Sequence, residues 1–171
     1  MQNEVSQEEV IFRGLLVEIC RRNGQSEKPY CRHRGAVAVL ARQKDEILLV
    51  SQYRYAIGRE LLELPAGKLD RGEEPPIEAA KRELREETGM EAGRILPLGK
   101  IYSASHVISE TLYLYYADDL SFVGEALDDG EFLSVRRIPC ETLARQIAGG
   151  EIRDEKTVCA VELAKLKGYW E

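Results

Sequence analysis

The stretch Arg82-Glu83-Leu84-Arg85-Glu86-Glu87-Thr88-Gly89 decides the fold, because it closes a segment with the period of an α-helix. Upstream, Pro75 suits the first turn of a helix, where its missing N–H is not needed. Gly89 suits the C-terminal end, where a left-handed residue commonly stops a helix. We therefore predict a helix from Pro75 to about Thr88. It should pack on a sheet through an apolar face formed by Ile77, Ala80 and Leu84.

The charged residues of this helix are predicted to lie on opposite flanks of its apolar face. At about 100° per residue, three glutamates border one side and three bases the other: Glu83, Glu86 and Glu87 against Lys81, Arg82 and Arg85. At a spacing of four residues, Arg82 can pair with Glu78 and with Glu86. Clustered carboxylates repel one another, and their hard oxygens favour Mg²⁺ or Mn²⁺ over zinc. An ordinary charged helix surface is the alternative, and the charge pattern alone does not separate the two.

The segments around this helix are mostly predicted to be strands. We expect strands over 10–20 (bent at Gly14), 29–33, 35–41, 46–54, 60–64, 94–101, 111–117 and 131–138, and helices over 141–148 and 155–167. Asn23-Gly24 is typical of a hairpin turn, and residues 1–9 are expected to be frayed. Strands and helices do not alternate regularly, and there is no internal repeat. The pattern predicts one domain over residues 1–171, of the α+β or layered α/β class, with a mixed sheet.

The composition restricts the class of protein. With 171 residues, 44% hydrophobic and 32% charged, the chain suits one soluble domain. A net charge of −6 argues against a general nucleic-acid binder, and no apolar run approaches the ~20 residues that cross a bilayer. The acidic N-terminal segment is unlike a signal peptide, so we expect a cytoplasmic protein without nucleic-acid or membrane partners. The cysteines lack CxxC spacing and are expected to be free thiols: Cys20, Cys31, Cys140 and Cys159.

The helix and the segment before it resemble the Nudix box. In that box a glycine, five residues, a glutamate and seven residues precede R-E-U-x-E-E-x-G-U, where U is apolar. Residues 82–90 match at every specified position. Gly67 would be the first glycine, but the interval from it to Arg82 is one residue longer than in the box. The extra residue is expected within residues 73–76, so either Glu73 or Glu74 takes the place of the first box glutamate.

The resemblance covers roughly residues 10–167 and is to the ADP-ribose pyrophosphatase branch of the Nudix family. It rests on three further segments: Gln52-Tyr53-Arg54-Tyr55-Ala56, residues 60–69 and residues 150–157. It implies the Nudix fold, a mixed β-sheet sandwiched between helices. It also implies a homodimer, in which N-terminal strands of about residues 10–34 pair with the partner. Ser105 and His106 replace the proline and glycine of a Ser-Pro-Gly loop of the branch, a departure that bears on the substrate rather than on the reaction.

The same resemblance implies which residues bind the metal. Glu83 and Glu87 would hold Mg²⁺, with Mn²⁺ as a substitute, assisted by the backbone carbonyl of Ala66. Glu86 would complete the metal shell or take protons.

Further positions are implied for substrate binding and catalysis. Arg54 would hold a substrate phosphate, because its guanidinium fork suits planar oxygens, and Glu63 would face the substrate or the metal shell. Glu110 is retained after the altered loop, and Tyr53 could stack on a base or serve packing. A late acidic loop would place a carboxylate near the attacking water, from Asp129 or Glu131. The two histidines, His33 and His106, are expected to be solvated.

These roles imply an enzyme that converts ADP-ribose and water to AMP and ribose 5-phosphate. Another nucleoside diphosphate derivative, such as GDP-mannose, is the first alternative substrate. A non-catalytic nucleotide-sensing module is the alternative of a different class, and the intact glutamates of the box argue against it.

Overall fold

The computed structural model describes residues 8–14, 17–22, 28–69, 71–124 and 133–170. Within these ranges the strands are β1 (Glu8–Arg13), β2 (Glu18–Arg22), β3 (Tyr30–Arg32), β4 (Ala36–Gln43), β5 (Glu46–Arg54), β6 (Arg59–Glu63), β7 (Ala66–Lys68), β8 (Met90–Tyr102), β9 (Thr111–Phe122) and β10 (Leu133–Pro139). The helices are α1 (Pro76–Thr88), α2 (Cys140–Ala148) and α3 (Glu155–Leu166). None of these helices is long and apolar enough to span a membrane.

A mixed sheet forms the centre of the described chain. Its strands lie in the order β10-β5-β4-β9-β8, with β6 paired to β5 and β7 paired to β4. β4 and β9 are parallel, whereas the other pairs are antiparallel. The predicted mixed sheet is therefore confirmed.

Alternate residues of β4 pack against helices on opposite faces of the sheet, as the two-residue period of a strand requires. Val37 and Val39 belong to an apolar cluster with α1. Ala38 and Leu40 belong to a second cluster with α2 and α3. All four are fully buried, which explains why β4 is an uninterrupted apolar run. The sheet lies between helices, as the resemblance implied.

The strands separate at the end of the sheet where β7 lies, beside the C-terminal half of α1. Residues 41–43 of β4 pair with β5, whereas residues 36–38 pair with β7. Residues 50–54 of β5 pair with β6. Between β6 and β7, the Pro65 carbonyl accepts a hydrogen bond from the Val39 N–H at 3.0 Å. This opened end brings β5, β6, β7 and α1 together.

The N-terminal segment differs from the prediction. The single bent strand over 10–20 is wrong, because β1 and β2 form an antiparallel hairpin, closed by a hydrogen bond from the Gly14 N–H to the Val17 carbonyl at 2.8 Å. Residues 8 and 9 belong to β1 and are not frayed. β3 pairs with β2 and completes a separate three-stranded sheet. The predicted turn at Asn23-Gly24 lies outside the described residues. β7 was missed, because three residues that follow a proline and include a glycine carry no strand period.

Replacing Leu84 with alanine should destabilise the protein by about 2–5 kcal/mol, the usual cost of a cavity in a packed core. Leu84 is fully buried between α1 and the sheet. The measurement is the free energy of unfolding in urea.

Leu166→Ala is the matched control, because Leu166 is largely exposed at the end of α3. It should change stability by no more than about 0.5 kcal/mol. Equal effects of the two substitutions would contradict the packing of α1 on the sheet.

Candidate active site

Helix α1 begins at Pro76, one residue after the predicted start, ends at Thr88 as predicted, and has the predicted buried face. Gly89 ends it in the left-handed conformation with φ 69°, and its N–H donates to the Arg85 carbonyl. Ala80 and Leu84 are fully buried, and Ile77 is half-buried. The predicted separation of charges is wrong in one respect, because the Arg82 side chain lies among the glutamates. Glu78 pairs with Lys81 rather than with Arg82.

Arg82 is the centre of a cluster of carboxylates. Its Nη1 donates to Glu83 Oε1 at 2.5 Å and to Glu86 Oε2 at 2.8 Å. Its Nε and Nη2 donate to Glu74 at 3.1–3.3 Å. Burial alone would lower the pKa of Arg82, but the hydrogen bonds to the three carboxylates outweigh it, so the pKa lies above its ordinary value. The guanidinium therefore stays charged and holds three acids of the box in place.

This cluster identifies Glu74 as the first box glutamate. Glu74 contacts Arg82, eight positions later, which is the interval of the box, whereas Glu73 is exposed. The extra residue therefore lies between Gly67 and Glu74, in the loop before the helix. The predicted range, residues 73–76, shares residue 73 with this loop, and residues 74–76 are excluded.

The strand β7 packs its backbone against the glutamates of α1. The Ala66 N–H donates to Glu87 Oε2 at 3.0 Å, and Glu87 is only 5% exposed. A Cβ on Gly67 would overlap the carboxyl group of Glu83. Glycine at 67 therefore lets the Glu83 carboxyl approach the backbone, and a larger residue there would displace that carboxyl.

A cleft of about 470 Å³ opens at this end of the sheet. Among the described residues it is lined by His33, Ala36, Gln52, Arg54, Ala66, Gly67, Lys68, Arg71, Arg82, Glu83, Glu87, Glu110, Leu112, Asp154, Glu155 and Lys156. Five of the predicted site residues therefore face one space: Arg54, Ala66, Glu83, Glu87 and Glu110.

The other predicted site residues lie elsewhere. Glu63 and Glu86 lie behind the lining and contact side chains that form it. Tyr53 is not among the lining residues, and its ring packs edge-on against Tyr55, with centroids 5.1 Å apart. Asp129 and Glu131 lie outside the described residues.

A buried carboxylate joins two cations at the cleft. Glu63, 1% exposed, accepts hydrogen bonds from Arg54 at 2.6 and 2.8 Å and from Lys156 Nζ at 2.6 Å. Burial alone would raise the pKa of Glu63, but the hydrogen bond from Arg54 and the charge of Lys156 outweigh it and lower the pKa. Glu63 thus remains ionised and orients both cations.

Lys156 and Asp154 were not predicted as site residues. Asp154 accepts from Lys156 at 2.8 Å and from the Thr157 N–H at 3.0 Å, which caps α3. The Thr157 hydroxyl accepts from the Leu64 N–H at 3.0 Å. The segment at 150–157 was recognised only as a family resemblance, and the contact with Glu63, 93 positions away, is not visible in the sequence.

His33 lies at the cleft and is not simply solvated. Its Nδ1 is 3.2 Å from Glu110 Oε1, and both side chains are largely buried. The His33 N–H donates to the hydroxyl of Ser109 at 2.9 Å, which ties β3 to the loop before β9. The expectation for His33 is therefore corrected. His106 is exposed, as predicted.

The carboxylates at the cleft suit a hard divalent cation in their chemistry. Glu83 and Glu87 are one helical turn apart and face the cleft beside Ala66. In the part of the chain that the structure describes, no three histidine, cysteine or acidic side chains converge as a metal shell. The Arg82 guanidinium lies between Glu83 and Glu86. The donor set therefore fits such an ion once these ion pairs rearrange.

Comparison with known proteins agrees with the fold. The sequence profile of the Nudix domain matches residues 32–161. The ADP-ribose pyrophosphatase of Bacillus subtilis (strain 168) is 33% identical over 98% of this chain and 95% of its own. The methanol dehydrogenase activator of Bacillus methanolicus is 36% identical over 93% and 90%. The GDP-mannose pyrophosphatase of Citrobacter koseri (strain ATCC BAA-895 / CDC 4225-83 / SGSC4696) is 31% identical over 86% and 84%.

A solved structure titled "Crystal structure of ADP compounds hydrolase" superposes with a TM-score of 0.78, covering 95% of this chain and 94% of that one. At 24% identity it supports the fold alone. Fold and cleft thus define a class of hydrolases with a glutamate-rich helix beside a mixed sheet. The chain belongs to the Nudix family, whose hydrolases generally use divalent metal ions.

Glu63→Gln should destabilise the protein by about 3 kcal/mol at pH 7, because it leaves two partly buried cations without their shared anion. The folded-state pKa of Glu63 is below its ordinary value of 4.5. Its stabilisation is therefore complete above that value and is lost as the pH falls through the folded-state pKa. The measurement is urea unfolding of both proteins from pH 7 to pH 3.

The difference between wild type and variant should shrink below about pH 4.5. Glu60→Gln, at an exposed position of the same strand, is the control and should be nearly neutral at each pH. A Glu63→Gln penalty that did not depend on pH would contradict the ionised state of Glu63.

Proposed function

We propose that this protein is a Mg²⁺-dependent pyrophosphohydrolase that cleaves the diphosphate of ADP-ribose or a related nucleoside diphosphate sugar. With ADP-ribose the products are AMP and ribose 5-phosphate. The observation that carries this proposal is the shared cleft, where Glu83 and Glu87 of α1 face the same space as Arg54 and Lys156. The carboxylates suit a divalent metal ion, and the cationic side chains suit the diphosphate. The ADP-ribose and GDP-mannose pyrophosphatases among the relatives support the substrate class.

The residues of the cleft divide the work of binding. Arg54 and Lys156, oriented by Glu63, donate charge-assisted hydrogen bonds to the diphosphate oxygens. Glu83, Glu87 and the Ala66 carbonyl would hold the divalent ion. When bound, Mg²⁺ supplies charge neutralisation for the diphosphate and lowers the pKa of a water.

Proton transfer falls to a carboxylate near that water. Glu86, held by Arg82 at 2.8 Å, completes the metal shell or accepts the proton. Asp129 or Glu131 is the alternative acceptor. The water oxygen forms a bond to one phosphorus, and the bond from that phosphorus to the bridging oxygen breaks. The bridging oxygen leaves with the other product.

GDP-mannose is the second candidate substrate, and the relatives that cleave it, 31% identical in Citrobacter koseri, favour its inclusion. A sensing module without catalysis is less well supported, because the carboxylates of the box are all present and lie beside the cleft.

Purified protein should hydrolyse at least one compound of a panel with Mg²⁺: ADP-ribose, GDP-mannose, UDP-glucose, NADH and diadenosine polyphosphates. Products are identified by chromatography and mass spectrometry. Glu87→Gln should lower kcat at least about a hundredfold, since even outer partners of metal ligands cost 10–100-fold when removed.

Glu78→Gln is the matched control, because Glu78 lies exposed on the same helix and pairs with Lys81. It should keep wild-type activity. Binding of a panel compound without any turnover would overturn the enzyme and favour the sensing module.

We also propose a cytoplasmic protein of a single domain that forms a homodimer through the N-terminal strands, residues 10–34. The four cysteines are unpaired thiols, as is usual in a reducing compartment. β1 lies at an edge of its three-stranded sheet and exposes Val10, Ile11 and Phe12. An apolar edge strand of this kind suits pairing with another chain.

Phe12→Asp should convert the dimer to a monomer in sedimentation or light scattering, because a charge in an apolar interface is costly to desolvate. Ile57→Asp is the matched control, since Phe12 and Ile57 are both 57% exposed. It should remain dimeric. A wild-type protein that stays monomeric at high concentration would contradict the dimer.

A further inference from the structure

We propose that Arg71 is a mobile counter-cation of the site. It holds Glu86 while no divalent ion is bound, and it transfers to the substrate diphosphate when the ion binds. The proposal rests on the proposed function, because it needs a metal-dependent diphosphate site.

Glu86 is held by one guanidinium on each carboxylate oxygen. Arg71 Nη2 donates to Oε1 at 2.8 Å, and Arg82 Nη1 donates to Oε2 at 2.8 Å. Both oxygens of Glu86, a glutamate of the metal-binding part of the box, therefore accept hydrogen bonds from cations. A divalent cation approaching this carboxylate is repelled by both guanidinium groups, so at least one of them has to move away.

The two arginines differ in how firmly they are held. The Arg82 side chain is 13% exposed and also contacts Glu74 and Glu83. The Arg71 side chain is 51% exposed, and in the described part of the chain its guanidinium pairs with Glu86. An exposed ion pair of this kind shifts an equilibrium by no more than about fivefold. Arg71 is therefore the one that can leave at little cost.

The position of Arg71 allows its guanidinium to reach a diphosphate bound in the cleft. It lines the cleft together with Arg54 and Lys156, both of which are engaged by Glu63. It lies in the loop between Gly67 and Glu74, where this chain has one residue more than the box. Next to it, Gly72 has φ 65°, and none of the described residues packs where its Cβ would be. The guanidinium can thus exchange one anion, Glu86, for another, the diphosphate.

Three binding measurements by calorimetry test this exchange on wild type, Arg71→Gln and Arg85→Gln. The probes are Mn²⁺ alone, the uncleavable diphosphate α,β-methylene ADP alone, and α,β-methylene ADP with saturating Mn²⁺. Arg85 is the matched control, because it is half-exposed on α1 and pairs with Glu91, away from the cleft.

Arg71→Gln should bind Mn²⁺ about two- to fivefold more tightly, because Glu86 no longer has to release a cation. It should bind the diphosphate as wild type does without metal, and about tenfold more weakly with Mn²⁺, because a charge-assisted hydrogen bond is then missing. Arg85→Gln should match wild type in all three measurements.

Equal or weaker Mn²⁺ binding by Arg71→Gln would overturn the exchange, and so would equal binding of the diphosphate at saturating Mn²⁺. Either result leaves the proposed function standing, provided that wild type binds Mn²⁺ and hydrolyses a substrate. Wild-type protein that binds no divalent ion would instead overturn the proposed function.

Discussion

The guanidinium of Arg82 donates hydrogen bonds to Glu74, Glu83 and Glu86 in a largely buried position. Placing four charged groups so close together is costly unless each has a partner. Each carboxylate is paired with Arg82, and Arg82 is paired with all three. The loop before α1 is tied down through Glu74. The carboxylates of the box are held close to one another, although their charges are alike.

Two glutamates of α1 also account for the close approach of β7 to this helix. Glu83 lies over the backbone of Gly67, where a side chain would overlap it. The Glu87 carboxylate accepts a hydrogen bond from the Ala66 N–H. Strand and helix therefore meet through backbone atoms and carboxylates rather than through apolar side chains. Such a contact places oxygen ligands at the surface of a cleft without an apolar layer between them and the solvent.

Arg54 and Lys156 also belong to the cleft. The buried Glu63 carboxylate holds these two cations, as the Arg82 guanidinium holds its carboxylates. It joins Arg54 of β5 to Lys156 of α3, and Asp154 connects Lys156 to the capped start of that helix. The cluster around Arg82 presents carboxylates to the cleft. The cluster around Glu63 presents cations to it. A substrate that carries negative charge and brings a metal ion matches this arrangement, whatever group is attached to the diphosphate.

The sequence by itself determined the elements with a strong local period. The bounds of α1, the apolar face with Ala80 and Leu84, and the end of the helix at Gly89 follow from residue type and spacing, because a helix closes its own hydrogen bonds. The sequence also predicted the fold class, a mixed sheet, and its resemblance to a known family implied helices on both faces. The hairpin of β1 and β2 did not, because the apolar run over residues 10–20 contains no distinctive turn sequence.

Only the tertiary structure decided the contacts between distant residues. Glu74 rather than Glu73 joins the box, because its side chain reaches Arg82 across the loop. Lys156 meets Glu63 across 93 positions of the chain, and His33 meets Glu110 through the pairing of separate segments. Residue types and spacing specify a helix and its charges. Which charge neutralises which is set by packing, since ion pairs form wherever the fold brings side chains together and excludes water.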